Sequence, residues 1–102
     1  MQNFDQIAEK IFEEIISKVE AQDKDFLVDI NYSNQVLTIE ANAKVFVINK
    51  QTPKFEIWLS SPLSGPHHFK LKGDSWQNTR GEVLHNILSL ELSELIGKTI
   101  KL

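Results

Sequence analysis

Carboxylates are the residues of this sequence best placed to act together. With Asp5 as the origin of a helix and about 100° of turn per residue, Glu9 falls near ~40°, Glu13 near ~80° and Glu20 near ~60°. The four share one narrow sector beside an apolar stripe, while Glu14 points elsewhere. Asp23 and Asp25 follow in a polar stretch, and Asp29 falls on the outward side of the next strand. Seven carboxylates can therefore form one negative ridge. Like charges four residues apart on a helix cost roughly 0.2–0.5 kcal/mol each. Carboxylate oxygens are hard donors suited to hard cations. Spread along an exposed edge, they make a shallow, multi-position site with little selectivity. A solvated helix face accounts for the same spacing, and the pattern chooses no metal.

Trp58 is the second candidate. In Phe55–Ser61, Phe55, Ile57 and Leu59 alternate with Glu56, Trp58 and Ser60, and a period of two sends Trp58 away from the core. In neighbouring segments Phe46, Ile48, Phe69 and Leu71 point inward, and the outer face collects Asn49, Gln51, Trp58, His68, Lys70 and Lys72. Burying a large apolar side chain is worth roughly 1.5–3 kcal/mol, and Trp is enriched at interface hot spots. Trp58 is thus either a partner contact or a ring lying flat on its neighbours.

Other arrangements carry less. Glu82-x-x-His85 has the spacing of carboxylate-bridged di-iron bundles, which need the motif twice, and here it occurs once. His67 and His68 are adjacent on a strand and face opposite ways. There is no glycine-rich phosphate loop and no G-x-S-x-G. Glu91 lies within an apolar helical stripe and reads as a half-buried carboxylate with a hydrogen-bond partner.

The elements that must position these groups follow from periodicity. Phe4, Ile7, Ala8, Ile11, Phe12, Ile15 and Val19 predict a helix over 3–21, with Asn3 able to cap it. Strands are expected at 26–32, 36–41, 45–51, 55–61 and 67–72, with a short segment at 75–77. Val83, Leu84, Ile87, Leu88, Leu92, Leu95 and Ile96 predict a second helix over 81–96, ended by Gly97. Short links favour an antiparallel meander. The expected class is α+β: a two-layer sandwich with both helices on one face of an antiparallel sheet of five to six strands.

Composition bounds the function. The 102 residues are 41% hydrophobic and 25% charged, which suits one globular domain over 1–102. Eleven basic against fourteen acidic residues give −3, which opposes a nucleic-acid partner held through phosphates. Residues 1–40 hold nine acids and three lysines; the remainder holds five acids and eight bases. With no cysteine there is no disulfide, persulfide relay or cysteine-ligated cluster. The longest apolar run, Val45–Ile48, spans no membrane. Met1–Asp5 has no basic residue and fits neither a signal nor a transit peptide, so the expected address is a bacterial cytoplasm, with a processed mitochondrial protein as second choice.

The stretch Val47-Ile48-Asn49-Lys50-Gln51-Thr52-Pro53, followed by Ile57-Trp58-Leu59-Ser60-Ser61-Pro62-Leu63-Ser64-Gly65-Pro66, closely resembles the central signature of the frataxin family. The bacterial CyaY-type members have this length. Val36–Ile39, Gly73-Asp74-Ser75-Trp76 and the helix from Gly81 to Leu92 fit in order. The resemblance implies the two-helix sandwich and weak binding of Fe²⁺ or Fe³⁺ at the ridge, here Asp5, Glu9, Glu13, Glu20, Asp23, Asp25 and Asp29. It also implies docking to a cysteine desulfurase and an iron–sulfur scaffold protein through Asn49, Gln51 and Trp58, with His68 where some members carry a basic residue. Ile16, Ser17, Ala21, Leu27 and Asn31 stand where many bacterial members carry acids, so this ridge is thinner. The expected function is a non-enzymatic, monomeric accessory protein of iron–sulfur cluster assembly. The alternatives are a ferroxidase or iron store acting through iron-driven oligomers, and a regulator that only binds protein.

Overall fold

A computed structural model describes residues 3–102 of the chain. Helix α1 (Phe4–Gln22) is followed by six strands, β1 (Val28–Ser33), β2 (Val36–Ala41), β3 (Lys44–Gln51), β4 (Glu56–Ser61), β5 (Gly65–Lys72) and β6 (Ser75–Gln77), and then by α2 (Leu84–Ile96). The strands pair antiparallel in chain order, as expected of a meander. Both helices pack against this sheet, giving the expected α+β sandwich. Among the described residues no helix is long and apolar enough to cross a membrane.

Helix α1 begins where a polar side chain can replace the missing turn. Asn3 Oδ1 accepts from the Gln6 amide at 2.9 Å, and Gln6 Oε1 accepts from the Asn3 amide at 3.1 Å, a reciprocal cap. Ala8, Phe12, Ile15 and Val19 are buried at spacings of four, three and four, so one face of α1 seals the sheet. They join Leu37, Ile39, Phe46, Ile48, Ile57, Leu59, Phe69 and Trp76 from the strands and Leu84, Leu88 and Leu92 from α2 in one core. Gly97, at φ 69°, ends α2 in a left-handed conformation that costs glycine little.

Three expected placements fail, each through a turn. Phe26, expected to open the first strand, lies outside β1 at φ 56° and is 89% exposed. Phe55 is not the first residue of β4: it ends a 3-10 turn over Thr52–Lys54 at φ 53° and is 64% exposed. Positive φ is uncommon for bulky residues, and the alternation of apolar residues gives no sign of it. The second helix starts at Leu84 instead of 81. Asn78 Oδ1 accepts from the amides of Arg80 and Glu82 at 3.0 and 2.9 Å, which holds the intervening loop out of helical conformation.

Two polar side chains of α2, Glu91 and the partly buried His85, lie against the core. Glu91, on the inner side of α2, accepts from Ser61 Oγ at 2.5 Å, as its position in the apolar stripe predicts. The same Ser61 oxygen accepts from the amides of Leu63 and Ser64 at 3.0 Å each and so also holds the β4–β5 turn. His85 faces α1, its Nε2 enclosed without a hydrogen-bond partner and 3.7 Å from Glu14 Oε1. Burial lowers its pKa below the ordinary histidine value, outweighing the opposite pull of Glu14. Residues beyond α2 return between the helices. Gln22 pairs through its side-chain amide with the backbone of Lys101 at 2.7 and 2.8 Å, and Ile100 is buried.

Ser61→Ala leaves the Glu91 carboxylate and two turn amides without their partner, and urea unfolding is expected to show a loss of about 2 kcal/mol. The neutral form of His85 is favoured in the fold, so its contribution is complete above the ordinary histidine pKa and is lost as pH falls through the lowered folded value. Melting temperature should therefore drop between pH 7 and pH 5 in the wild type, and His85→Gln should flatten that slope.

Candidate functional site

The acidic ridge divides into groups in different electrostatic states. Asp5, Glu9 and Glu13 lie on successive turns of α1 and line one open groove of about 600 Å³ with Gln6, Lys10 and Lys50. Asp5 Oδ1 accepts from Thr52 Oγ1 at 3.1 Å and lies 3.6 Å from Lys50 Nζ, whose side chain is only 6% exposed. Glu9 accepts from the Tyr32 hydroxyl. Burial first, and then the Glu9 carboxylate, push the Tyr32 pKa well above the ordinary phenol range, so this hydroxyl remains a donor. Glu13 and Glu20 are exposed, and Asp29 is exposed on β1 opposite Glu40.

Asp23 and Asp25 do structural work. The two Asp23 oxygens accept from the amides of Leu27 and Val28, both at 2.8 Å, and thereby close the turn that feeds β1. Asp25 is ion-paired with Lys98. Among the described residues no three histidine or carboxylate side chains converge to enclose a metal ion. What the ridge offers is a row of hard oxygen donors beside two lysines, open to water.

The uncovered face of the sheet is more ordered. Backbone register places Asn49 of β3, Trp58 of β4 and His68 of β5 directly opposite one another in one row. The Trp58 and His68 rings stack, with centroids 4.0 Å apart and planes 6° from parallel. Trp58 Nε1 donates to Glu56 Oε1 at 2.8 Å, and Lys54 Nζ lies 5.9 Å from the ring centroid. The other Glu56 oxygen is 3.8 Å from Lys70 Nζ. Asn49 Oδ1, enclosed beside this row, accepts no hydrogen bond from the described chain. Gln51 lies in the next row, opposite Glu56. The sequence puts Glu56 and Trp58 on one face but gives no sign that the carboxylate fixes the indole. That requires the rotamers.

His67 faces the other way and is buried. Its Nε2 is 2.8 Å from Ser64 Oγ, and its Nδ1 is 3.2 Å from Asn78 Nδ2. This looks like a nucleophile relay, but the tautomer forbids it. Asn78 Oδ1 already accepts from two amides, so Nδ2 donates to His67 Nδ1 and the ring hydrogen sits on Nε2. His67 then donates to Ser64 and takes no proton from it.

Comparison with known proteins agrees with the fold and the signature. Residues 1–98 match the frataxin-like domain. A mitochondrial frataxin-like protein of Leishmania donovani is 35% identical over 97% of the chain, and the mitochondrial frataxin homolog of Schizosaccharomyces pombe is 43% identical over 88%. The chain spans 58% and 57% of the lengths of these two relatives. Among solved structures, the frataxin of Psychromonas ingrahamii, from the CyaY protein family, superposes with a TM-score of 0.86 at 27% identity, covering 96% of this chain and 92% of that one. Trimeric frataxin of Saccharomyces cerevisiae, complexed with ferrous iron, superposes at 0.73 with 36% identity, covering 96% and 88%. The relatives correct the expected bacterial cytoplasmic address, because they are mitochondrial proteins. A targeting leader is a separable segment with its own composition, so the residues of a folded domain do not spell out its compartment. The comparisons reach the family and not its bacterial branch. With a domain match over residues 1–98 and the sandwich in place, the chain belongs to the frataxin family.

Proposed function

We propose that this chain is an iron-presenting accessory protein of iron–sulfur cluster assembly in the mitochondrial setting of its relatives. Frataxins are known as iron-binding proteins of that process. In this reading Asp5, Glu9 and Glu13 receive Fe²⁺ in their shared groove, and Glu20 and Asp29 extend the negative field along the edge. Hard oxygen donors suit the ion. Lys10 and Lys50 in the same groove keep affinity low, which suits a cargo that is handed on. The row Asn49–Trp58–His68, with Gln51 beside it, docks to a cysteine desulfurase and its scaffold protein. The observation that carries the docking half is the half-buried indole, held by Glu56 and stacked on His68, on the sheet face that neither helix covers. An aromatic anchor fixed before binding loses little freedom when a partner closes on it. The chain itself acts as no enzyme in this reading and performs no bond-making step.

The trimeric yeast relative favours one second reading, in which iron drives this chain into oligomers that store the metal or oxidise it. Enclosure would then come from the assembly.

Two experiments test the proposal. Anaerobic Fe²⁺ titration followed by backbone NMR should broaden signals around Asp5, Glu9 and Glu13, and Asp5→Asn/Glu9→Gln/Glu13→Gln should remove the effect. Asp23→Asn should instead lower stability with little change at the groove. No perturbation at millimolar iron overturns the iron half. Trp58→Ala should weaken binding to a purified desulfurase–scaffold complex by roughly 30-fold, the scale of a 2 kcal/mol hot spot, and leave the iron titration unchanged. Undiminished binding overturns the docking half.

A further inference from the structure

One apolar pocket has no part in iron presentation or in sheet docking. It lies where the start of α1 meets the 3-10 turn and the end of β5, and it measures about 530 Å³, inside the ~300–1,000 Å³ of small-molecule sites. Phe4, Phe55, Leu71 and Trp76 form its walls, and the exposed side chains of Lys54 and Lys70 complete the lining. Phe4 meets Phe55 and Trp76 edge-on, with ring centroids 5.6 and 6.0 Å apart. Phe55 is the costly member. Its backbone, at φ 53° and ψ 45°, holds the left-handed conformation that disfavours a bulky side chain, and its ring stands largely in water. Covering that ring would offset part of the cost.

The polar side chains of the pocket are all donors. Lys54 makes no ion pair among the described residues, and Lys70 reaches only Glu56, at 3.8 Å. Trp76 Nε1 is enclosed in the wall without a hydrogen-bond partner. No acidic, amide or hydroxyl side chain lines the space. A matching occupant brings the acceptor itself, on an apolar body.

We propose that this pocket binds a small aryl carboxylate, with its ring against the Phe4, Phe55 and Trp76 walls and its carboxylate at Lys54 and Lys70. Aromatic walls favour an aromatic body, because ring edges attract ring faces. Two ammonium groups with no acid between them favour a carboxylate over a neutral polar head, and a charged acceptor makes the stronger hydrogen bond. The long Lys70–Glu56 contact leaves the Lys70 ammonium free to turn toward a ligand. Both lysines are open to water, so the charge contribution is modest and falls with salt. Occupation needs no metal and none of the Asp5–Glu9–Glu13 carboxylates.

Amide NMR of the full chain in low salt with a chelator, titrated with naphthoate, tests this. The signals that move should be the amides of Ile7, Phe55 and Leu71 and the side-chain N–H of Trp76, with the N–H of Trp58 moving less. Naphthamide, the neutral isostere, should bind at least roughly tenfold more weakly. That comparison uses the wild type alone and does not depend on how any variant folds. Lys54→Gln/Lys70→Gln should bring the affinity for naphthoate down to that for naphthamide and leave naphthamide unchanged. Phe55→Asn should weaken both ligands, since asparagine tolerates the positive φ but supplies no wall. Circular dichroism spectra of the variants should match the wild type. No movement at millimolar naphthoate overturns the proposal. Equal affinities for acid and amide, shifts centred on another face, or a lysine or Phe55 variant that binds like the wild type overturn it as well. A pocket that only a protein partner fills would leave naphthoate without effect and gives the first of these outcomes.

Discussion

Every feature proposed for function depends on both helices shelving against the same face of one sheet. A strand sends alternate side chains to opposite faces, so covering one face assigns every second residue of β2 to β5 to the core and every other residue to the outside. Ile57 and Leu59 are buried in one core with Phe12 and Ile15 of α1 and Leu88 and Leu92 of α2. Trp58 is on the outside because its neighbours are not. Among the described residues the six strands follow one another through short turns, and neither helix lies on the second face. The outward-facing indole is thus a consequence of topology, and what is specific to this sequence is how the indole is held.

That holding is electrostatic and local. Glu56 takes the indole hydrogen with one oxygen and faces Lys70 with the other, while His68 covers part of the ring. The ridge follows a different logic. Its carboxylates repel one another, and the structure relieves some of them with donors: Thr52 and Lys50 for Asp5, Tyr32 for Glu9, two amides for Asp23, Lys98 for Asp25. A carboxylate so engaged adds to stability and is less free to move toward a cation. Counting acids in the sequence therefore overstates the number of ligands that stand ready.

Periodicity carries the fold, since both helices, the strand order and the inward set are legible in the spacing of apolar residues. It fails where backbone conformation, not side-chain polarity, decides the outcome. Phe26 and Phe55 alternate correctly with their neighbours yet sit at positive φ in turns. The late start of α2 comes from Asn78 capturing amides four residues ahead. The site was legible to the same depth. A period of two places Trp58 outside, but which residue faces it depends on strand register, and register depends on the length of the turn at Pro62–Ser64. The clamp made by Asp23 is likewise a loop geometry with no sequence period.

The end of β3 joins the two halves of the proposed site. Asn49 points outward into the row with Trp58, the next residue, Lys50, turns inward to Asp5, Gln51 turns outward again, and Thr52 donates to Asp5. Four consecutive residues therefore bridge the helix edge and the open sheet face. A cation in the Asp5–Glu9–Glu13 groove would compete with Lys50 for Asp5, and Lys50 is flanked in the strand by the two residues proposed to meet the partner. In the proposed function, loading and docking would share this short stretch of chain, and its geometry would set where iron stands relative to a bound partner. Under that proposal, delivery from a shallow groove would depend on placing the ion near its acceptor rather than on holding it tightly.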